Sequence, residues 1–182
     1  EKLTKKFLIY LELELIAHRQ EPTHAYRLEP DQTDFLADSI AAVLTTIARK
    51  ANRQEDLILQ LTDAKIAISD RYLTTIIHEL IDNAIKFSQR GTLIKVQGKI
   101  QDNQFIFWIH DFGRGITEEQ LHKVGAFMQF ERKFYEQQGV GLGLKIVNKI
   151  IEKVGGNLKI TSVYNQETQV EVRLPLWVEP HE

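Results

Sequence analysis

The stretch HELIDNAIKFS puts Glu79, Asn83, Lys86 and Phe87 at spacings of three to four residues. On a helix these positions share one face, opposite the apolar Leu73, Ile76, Ile77, Leu80, Ile81 and Ala84. A row of Glu, Asn and Lys fits a solvated helix surface. Asn83 admits a second use. Asparagine is a mediocre helix-interior residue, and its amide oxygen could complete the shell of a hard cation such as Mg2+, which prefers oxygen ligands and keeps several waters. A second stretch, DFGRGI from Asp111 to Ile116, follows the apolar run FIFWI. A carboxylate at a strand end accepts hydrogen bonds, and Gly113 and Gly115 remove side chains from the path of a flat ligand; an ordinary tight turn fits the same residues. A third, GVGLGL from Gly139 to Leu144, sets three glycines at alternate positions before a helical pattern. It lacks the spacing of a dinucleotide fingerprint and the Lys of a P-loop. What remains is either a plain helix entrance or a helix N-terminus with bare backbone, where orphan N–H groups and the helix dipole favour an anion such as phosphate.

The elements that must hold these stretches can be traced from periodicity. Residues 3–17 read as a helix with two apolar stripes, Leu3, Phe7, Tyr10 and Leu11, then Leu8, Leu11 and Leu15. A helix that is apolar on more than one side is expected to be buried between neighbours, as a core helix of this domain or as the stub of a helical hairpin. RQEPTHAYRLEP, with Pro22 and Pro30, reads as a linker. Residues 34–51 are helical in period; DLILQLT and KIAIS alternate as short strands. Ser69 or Asp70 caps a helix running to about Ser88. TLIKVQGKIQ and QFIFWIHD form a hairpin through Asp102-Asn103. A short helix is expected near residues 118–124, and a longer one from Gly141 to Val154, stopped by Gly155-Gly156. NLKITS and TQVEVRLP close the chain as strands. Helices do not alternate singly with strands, so a doubly wound parallel sheet is disfavoured. The expected fold is α+β: a two-layer sandwich with a mixed, mostly antiparallel sheet and helices on one face, preceded by a helical stub.

Composition excludes several classes. The chain has 182 residues, is 43% hydrophobic and carries a net charge of −2, so one domain with a proper core fits, and nothing points to nucleic acid or an anionic membrane. There is no cysteine, which removes disulfides and thiolate metal sites. No apolar run reaches the roughly 18 residues of a membrane span. The sequence starts without Met and already in a helical pattern, which suggests a piece of something longer.

In this order and at these distances, the stretches resemble the boxes of the ATP-binding domain of bacterial two-component sensor histidine kinases, within the GHKL superfamily of Bergerat-fold proteins. HELIDNAIKFS is similar to the N box, DFGRGI to the G1 box, FMQFERKF to the F box and GVGLGL to the G2 box, and the match spans about residues 34–176. The resemblance implies ATP and Mg2+ as cofactors and phosphoryl transfer as the reaction. That reaction relies on positioning and charge neutralisation rather than covalent help. Asp111 would accept the adenine amino group, and Asn83 would hold Mg2+. Lys86 would lie near the phosphates, beside Phe87. Gly113 and Gly115, with Ile116, would line the base pocket. Gly139, Val140, Gly141, Leu142, Gly143 and Leu144 would let the backbone wrap the triphosphate. Phe127 and Phe130 would pin a lid, and Arg132 would reach the γ-phosphate. Glu79 would orient, or take the proton of, an acceptor histidine; in ATP-hydrolysing relatives the same position activates water.

The resemblance further implies residues 1–20 as the end of a dimerisation-hairpin helix, 21–33 as a linker and 34–182 as the catalytic domain. It implies a homodimeric parent, a response-regulator receiver domain as partner, and a cytoplasmic location, with the parent free to be membrane-anchored. The pattern departs from a complete kinase in one respect. His18 and His24 lack the sequence context of a phosphoacceptor, so the acceptor helix is expected upstream and this fragment is expected to bind ATP without its own substrate. The β-turn NQET replaces the family's usual glycine turn. Two other functions fit the same residues: an ATPase using hydrolysis to drive conformational change, and a nucleotide-binding interaction module without catalysis.

Overall fold

The computed structural model describes residues 2–18, 33–121 and 141–179. Its centre is the hairpin of β4 (Ile94–Gln101) and β5 (Gln104–Asp111), joined through Asp102 and Asn103. Both turn residues are left-handed, with φ of 51° and 58°, the geometry that matches strand twist in a two-residue hairpin. Along β5 the apolar Phe105, Phe107 and Ile109 fall on one face with Asp111, and all four are buried, as a period of two requires. β7 (Glu167–Pro175) pairs antiparallel with β5, and β6 (Asn157–Val163) with β7. On the other side β2 (Leu57–Leu61) joins β4 in parallel, giving the order β2-β4-β5-β7-β6. A small antiparallel pair, β1 (Thr33–Phe35) with β3 (Ala64–Ile66), completes the strands.

Three helices cover one face of this sheet. α2 (Ala37–Lys50) buries Leu44 and Ala48. α3 (Asp70–Phe87) is capped by Ser69, whose hydroxyl accepts from the Tyr72 N–H. α4 (Gly141–Lys153) is followed by Gly155 at φ 75°, the left-handed stop expected of a glycine there. Leu80 and Ile81 of α3, Ile146 and Ile150 of α4, and Val96, Phe107 and Val172 of the sheet belong to one core. The two-layer α+β sandwich expected from the sequence is therefore present. Two boundaries differ. β1 falls where the linker was expected to run into a helix, and α2 starts only at Ala37, where its N–H donates to the Asp63 carboxylate. Residues 118–121 are helical; the remainder of the short helix expected there lies outside the described residues.

α1 (Lys2–His18) corrects a further expectation. It is not buried between neighbours on both stripes. Tyr10 and Leu13 are buried, whereas Phe7, Leu8, Leu11 and Leu15 are 41–63% exposed. The buried face carries ions in register with the domain. Glu14 pairs with Lys149 of α4 at 2.9 Å, and Glu12 accepts two hydrogen bonds from Arg71 of α3. The ammonium groups of Lys145 and Lys149 lie 5.1 and 5.7 Å from the centre of the Tyr10 ring. Charge complementarity selects this face, which apolar periodicity alone could not do.

Candidate nucleotide-binding site

α3 is the spine of the site. Its polar face was open to a bland interpretation as solvated surface. Lys86 is exposed, Asn83 and Phe87 are half-buried, but Glu79 is only 6% exposed. Glu79 is turned toward α4, where a Cβ on Gly143 would overlap its carboxylate. The bare backbone at Gly143 thus leaves room for a protein group, the Glu79 carboxylate.

Asp111 ends β5 on the core side and is 5% exposed. Burial pushes its carboxyl up to about 6, against the smaller opposing pull of the Gly113 N–H, His110 and Arg53. An isolated buried carboxylate is costly, and the Gly113 N–H donates to Asp111 Oδ1 across 3.2 Å. Such a group suits a ligand that brings its own N–H.

The loop after Asp111 is fixed at both ends. The Phe112 N–H donates to the Leu93 carbonyl, and the Arg114 N–H to the Phe87 carbonyl at the end of α3. The Arg114 guanidinium lies over the Phe87 ring at 4.6 Å. Gly115, at φ 61°, packs against the Val163 carbonyl and the Tyr164 Cα at the β6–β7 turn. The Ile116 N–H donates to Ser162 Oγ at 2.8 Å, and that hydroxyl donates to the Glu167 carbonyl. Thr168, buried and paired in register with Asp111, lies 2.9 Å from Ser162 Oγ.

Gly113 has the least room. A Cβ there would meet the Phe87 carbonyl, Asp111 Oδ1 and the Ser88 Cα. Gly113→Ala should cost about 1–3 kcal/mol of stability by overpacking and weaken ATP binding about tenfold as the loop lifts off α3. Urea denaturation and calorimetric titration read the two effects; unchanged affinity would show that this seat does not set the pocket.

Three residues outside the recognisable stretches shape the site. Arg53, 4% exposed, pairs with Asp56 and donates to the carbonyls of Ile85, Ser88 and Thr92 and to Ser88 Oγ. It thereby fixes the C-terminal turn of α3, on which the Asp111 loop rests. Ser162 holds the loop's far end. Lys6 of α1 places its ammonium 2.6 Å from Glu79 Oε2. Their partners within the site, Ile85, Ser88 and Thr92 for Arg53, Ile116 for Ser162 and Glu79 for Lys6, lie tens of residues away, so no local pattern marks these contacts.

Several expected site residues can be placed. Asp111, Gly113, Gly115 and Ile116 form the loop between α3 and the β6–β7 turn. Glu79 meets α4 about 12 Å along α3 from Phe87. Gly141 opens α4, Leu142 and Gly143 are half-buried, and the Leu144 side chain enters the core. Phe127, Phe130, Arg132, Gly139 and Val140 lie outside the described residues. Among the described residues no three His, Cys, Asp or Glu side chains cluster as a metal cage. Mg2+ held by one amide oxygen, waters and phosphate oxygens needs no such cage. A separate hollow of about 390 Å³, lined by Gln60, Gln97, Lys99 and Trp108 among others, lies on the helix-free face of the sheet, away from these motifs.

A five-stranded mixed sheet with helices on one face, and a buried carboxylate seated against the end of the amphipathic α3, define a domain of the two-layer α+β class. The chain belongs to the family of histidine kinase-, DNA gyrase B- and HSP90-like ATPases, whose model matches residues 68–178. It is an ATP-binding catalytic domain of the sensor histidine kinase type. Among curated relatives, the sensor protein RprX of Bacteroides fragilis is 32% identical over 146 residues, covering 75% of this chain and 28% of that protein. The chain spans under a third of the length of the curated relatives it matches. Among solved structures, the mycobacterial sensor histidine kinase MprB superposes with a TM-score of 0.65 at 25% identity, covering 80% of this chain and 98% of that one. The Acinetobacter baumannii histidine kinase AdeS shares the fold with a TM-score of 0.68 at 22% identity, over 96% of this chain and 77% of that one. Among the described residues no helix is long and apolar enough to cross a membrane.

Proposed function

We propose that this chain binds Mg2+-ATP between α3 and α4 and transfers the γ-phosphoryl group to a histidine on a dimerisation hairpin, for relay to a response-regulator receiver domain. The observation that carries this is Asp111: a buried carboxyl, seated by Gly113 against the end of α3, on the helix that also bears Glu79 and Asn83. Asp111 accepts the adenine amino group. Gly113, Gly115 and Ile116 line the base, and Lys86, beside Phe87, lies near the phosphates. Gly141, Leu142, Gly143 and Leu144 present backbone to them, together with Gly139 and Val140. Asn83 holds Mg2+, which neutralises charge on the phosphate oxygens. Phe127 and Phe130 pin a lid, and Arg132 reaches the γ-phosphate. Glu79 orients the acceptor imidazole and takes its proton. α1 is the end of a dimerisation-hairpin helix, residues 21–33 are a linker, and the exposed Phe7, Leu8, Leu11 and Leu15 stripe is the side that faces the rest of that hairpin. The parent is a cytoplasmically disposed homodimer.

Calorimetry should detect ATP binding that strengthens with Mg2+, and Asn83→Ala should lose about tenfold in that Mg2+-dependent part. Radiolabelled ATP with a supplied dimerisation hairpin should label the hairpin. Binding without labelling would refute the transferase assignment, and no binding would refute the nucleotide site.

A further inference from the structure

The helix-free face of the sheet carries more than a solvated surface. Trp108 and His110 of β5, and Phe112 just beyond it, follow one another at the period of two. Gln97 and Glu171 flank Trp108 in register, and Lys95 and Gln169 flank His110. The hollow of about 390 Å³ lies here, lined in part by Gln60, Gln97, Lys99, Trp108, His110 and Gln169. That volume is in the range of small-molecule sites.

Trp108 is held as a wall. Its indole N–H donates to Glu171 Oε2 at 2.9 Å, and Arg173 Nε donates to Glu171 Oε1 at 2.6 Å. Burial alone would push the Glu171 carboxyl up; these two hydrogen bonds outweigh burial and hold it below the ordinary carboxylate range. None of the described residues lining the hollow is acidic. The Lys99 ammonium stands over the indole, 5.1 Å from its centre, and has no ion pair among the described residues. Gln97 Nε2 donates to Gln60 Oε1, which leaves the Gln60 amide nitrogen as a further donor. An unpaired ammonium and an amide donor beside a fixed indole suit a planar ligand with one negative charge: the donors take the anion and the indole takes the ring. A cation would meet Lys99 with no carboxylate to offset it.

His110 links the hollow to the loop after Asp111. Its ring packs on Phe112, with centres 4.3 Å apart. Its Nε2 lies 2.9 Å from Glu167 Oε2. The Glu167 carbonyl accepts from Ser162 Oγ, the hydroxyl that accepts from the Ile116 N–H. His110 therefore bears on both ends of that loop. The His110 and Glu167 side chains are 23% and 40% exposed, so water weakens their contact. A ligand seated over His110 excludes that water, and a polar contact strengthens as its surroundings become less polar.

We propose that the hollow is an effector site: it takes a small aromatic carboxylate, held by Lys99 and ranged along Trp108, and its occupancy tightens ATP binding by firming His110 and the loop. The anion site rests on the hollow alone; the effect on ATP rests on the proposed function, in which that loop seats adenine.

The probe is 2-naphthoate, added to the 182-residue chain. The chain has two tryptophans, so Trp177→Phe assigns the indole N–H resonance of Trp108. Naphthoate should move that resonance saturably. The uncharged analogue naphthamide should bind about tenfold more weakly, and so should naphthoate to Lys99→Met, as a lost charge-assisted bond requires; Lys99→Arg should keep most of the affinity. Calorimetry should show Mg2+-ATP binding about fivefold more tightly at saturating naphthoate, the low end of coupling between two sites. By reciprocity ATP should tighten naphthoate by the same factor. No saturable movement of the Trp108 resonance, or equal binding of naphthamide, overturns the site. Naphthoate that binds and leaves ATP affinity unchanged overturns the effector role. Naphthoate that weakens ATP binding competes for the nucleotide site and overturns it too. A chain that binds naphthoate and never ATP overturns the proposed function, and the effector role with it, while the anion site stands.

Discussion

Asp111→Asn should give a protein that is more stable and nearly blind to adenine. The stability gain follows from the buried carboxyl. Asp111 titrates at about 6 in the folded chain against an ordinary 3.8. Between those values the folded chain keeps the proton and the unfolded chain has lost it, so raising the pH through this window favours unfolding. Each tenfold change in proton affinity is worth about 1.4 kcal/mol, so holding Asp111 ionised at neutral pH costs the fold roughly 3 kcal/mol. An amide of the same shape can still accept from the Gly113 N–H and carries no charge to desolvate. The difference in unfolding free energy between variant and parent should be near zero below pH about 4, open between about 4 and 6, and level off above. Urea denaturation across that range reads it directly.

The binding loss has the same origin. A carboxylate only accepts, which suits an amino group; the amide of Asn also presents an N–H donor. A site built to accept an N–H discriminates strongly once that complementarity is broken. The expected loss in ATP affinity is about 100-fold, the magnitude of an unmade bond to a buried charged group. The purine edge sharpens the test. Guanine carries a carbonyl where adenine carries its amine, so the ratio of ATP to GTP affinity isolates Asp111 from any titration of the phosphates. That ratio should be high above pH 7, fall as Asp111 gains its proton near pH 6, and stay low at every pH in Asp111→Asn. A ratio unaffected by the substitution would remove Asp111 from the base pocket.

The parts of the molecule that were legible in the sequence are those fixed by local chemistry. The Ser69 cap and the apolar row of α3, the Asp102-Asn103 turn and the stop at Gly155 each depend on residues within a few positions. Asp111 was legible as a carboxylate at a strand end because it directly follows the apolar run FIFWI and His110; its burial came only with the fold. β1 was missed because three residues carry too little periodicity to compete with the helical pattern that follows. Glu79 illustrates a deeper limit. Its helix position is plain, but its burial depends on Gly143 and Lys6, in elements far along the chain in both directions. Likewise α1 has two apolar stripes, and only the charges of Arg71, Glu79 and Lys149 decide which side is covered. Arg53 reads as one more polar residue in ANRQED until the fold brings the end of α3 and Thr92 against it.

Arg53→Met should be the most destabilising substitution outside the apolar core. Removing one partner of a buried ion pair costs about 3–5 kcal/mol, because the other charge is left uncompensated. Here that charge is Asp56. Burial alone would push its carboxyl up; the hydrogen bonds from the Gly91 N–H and from Arg53 outweigh burial and hold it below the ordinary carboxylate range. Asp56 therefore contributes stability that is fully present above its unfolded value of 3.8 and is lost as pH falls through its lower folded value. Without Arg53 that acid-side dependence should flatten, while the carbonyls of Ser88 and Thr92 lose their donor. Urea denaturation should show a lowered midpoint with an unchanged slope. Arg53→Met with Asp56→Asn should recover part of the loss, since the stranded charge is gone. The functional consequence separates a fixed seat from a general scaffold. Arg53 holds the turn that presents the Phe87 carbonyl to Arg114, so the double variant, measured where it is fully folded, should still bind ATP more weakly than the parent. Full affinity in a folded double variant would mean that Asp111 and Gly113 position the base pocket without help from the end of α3.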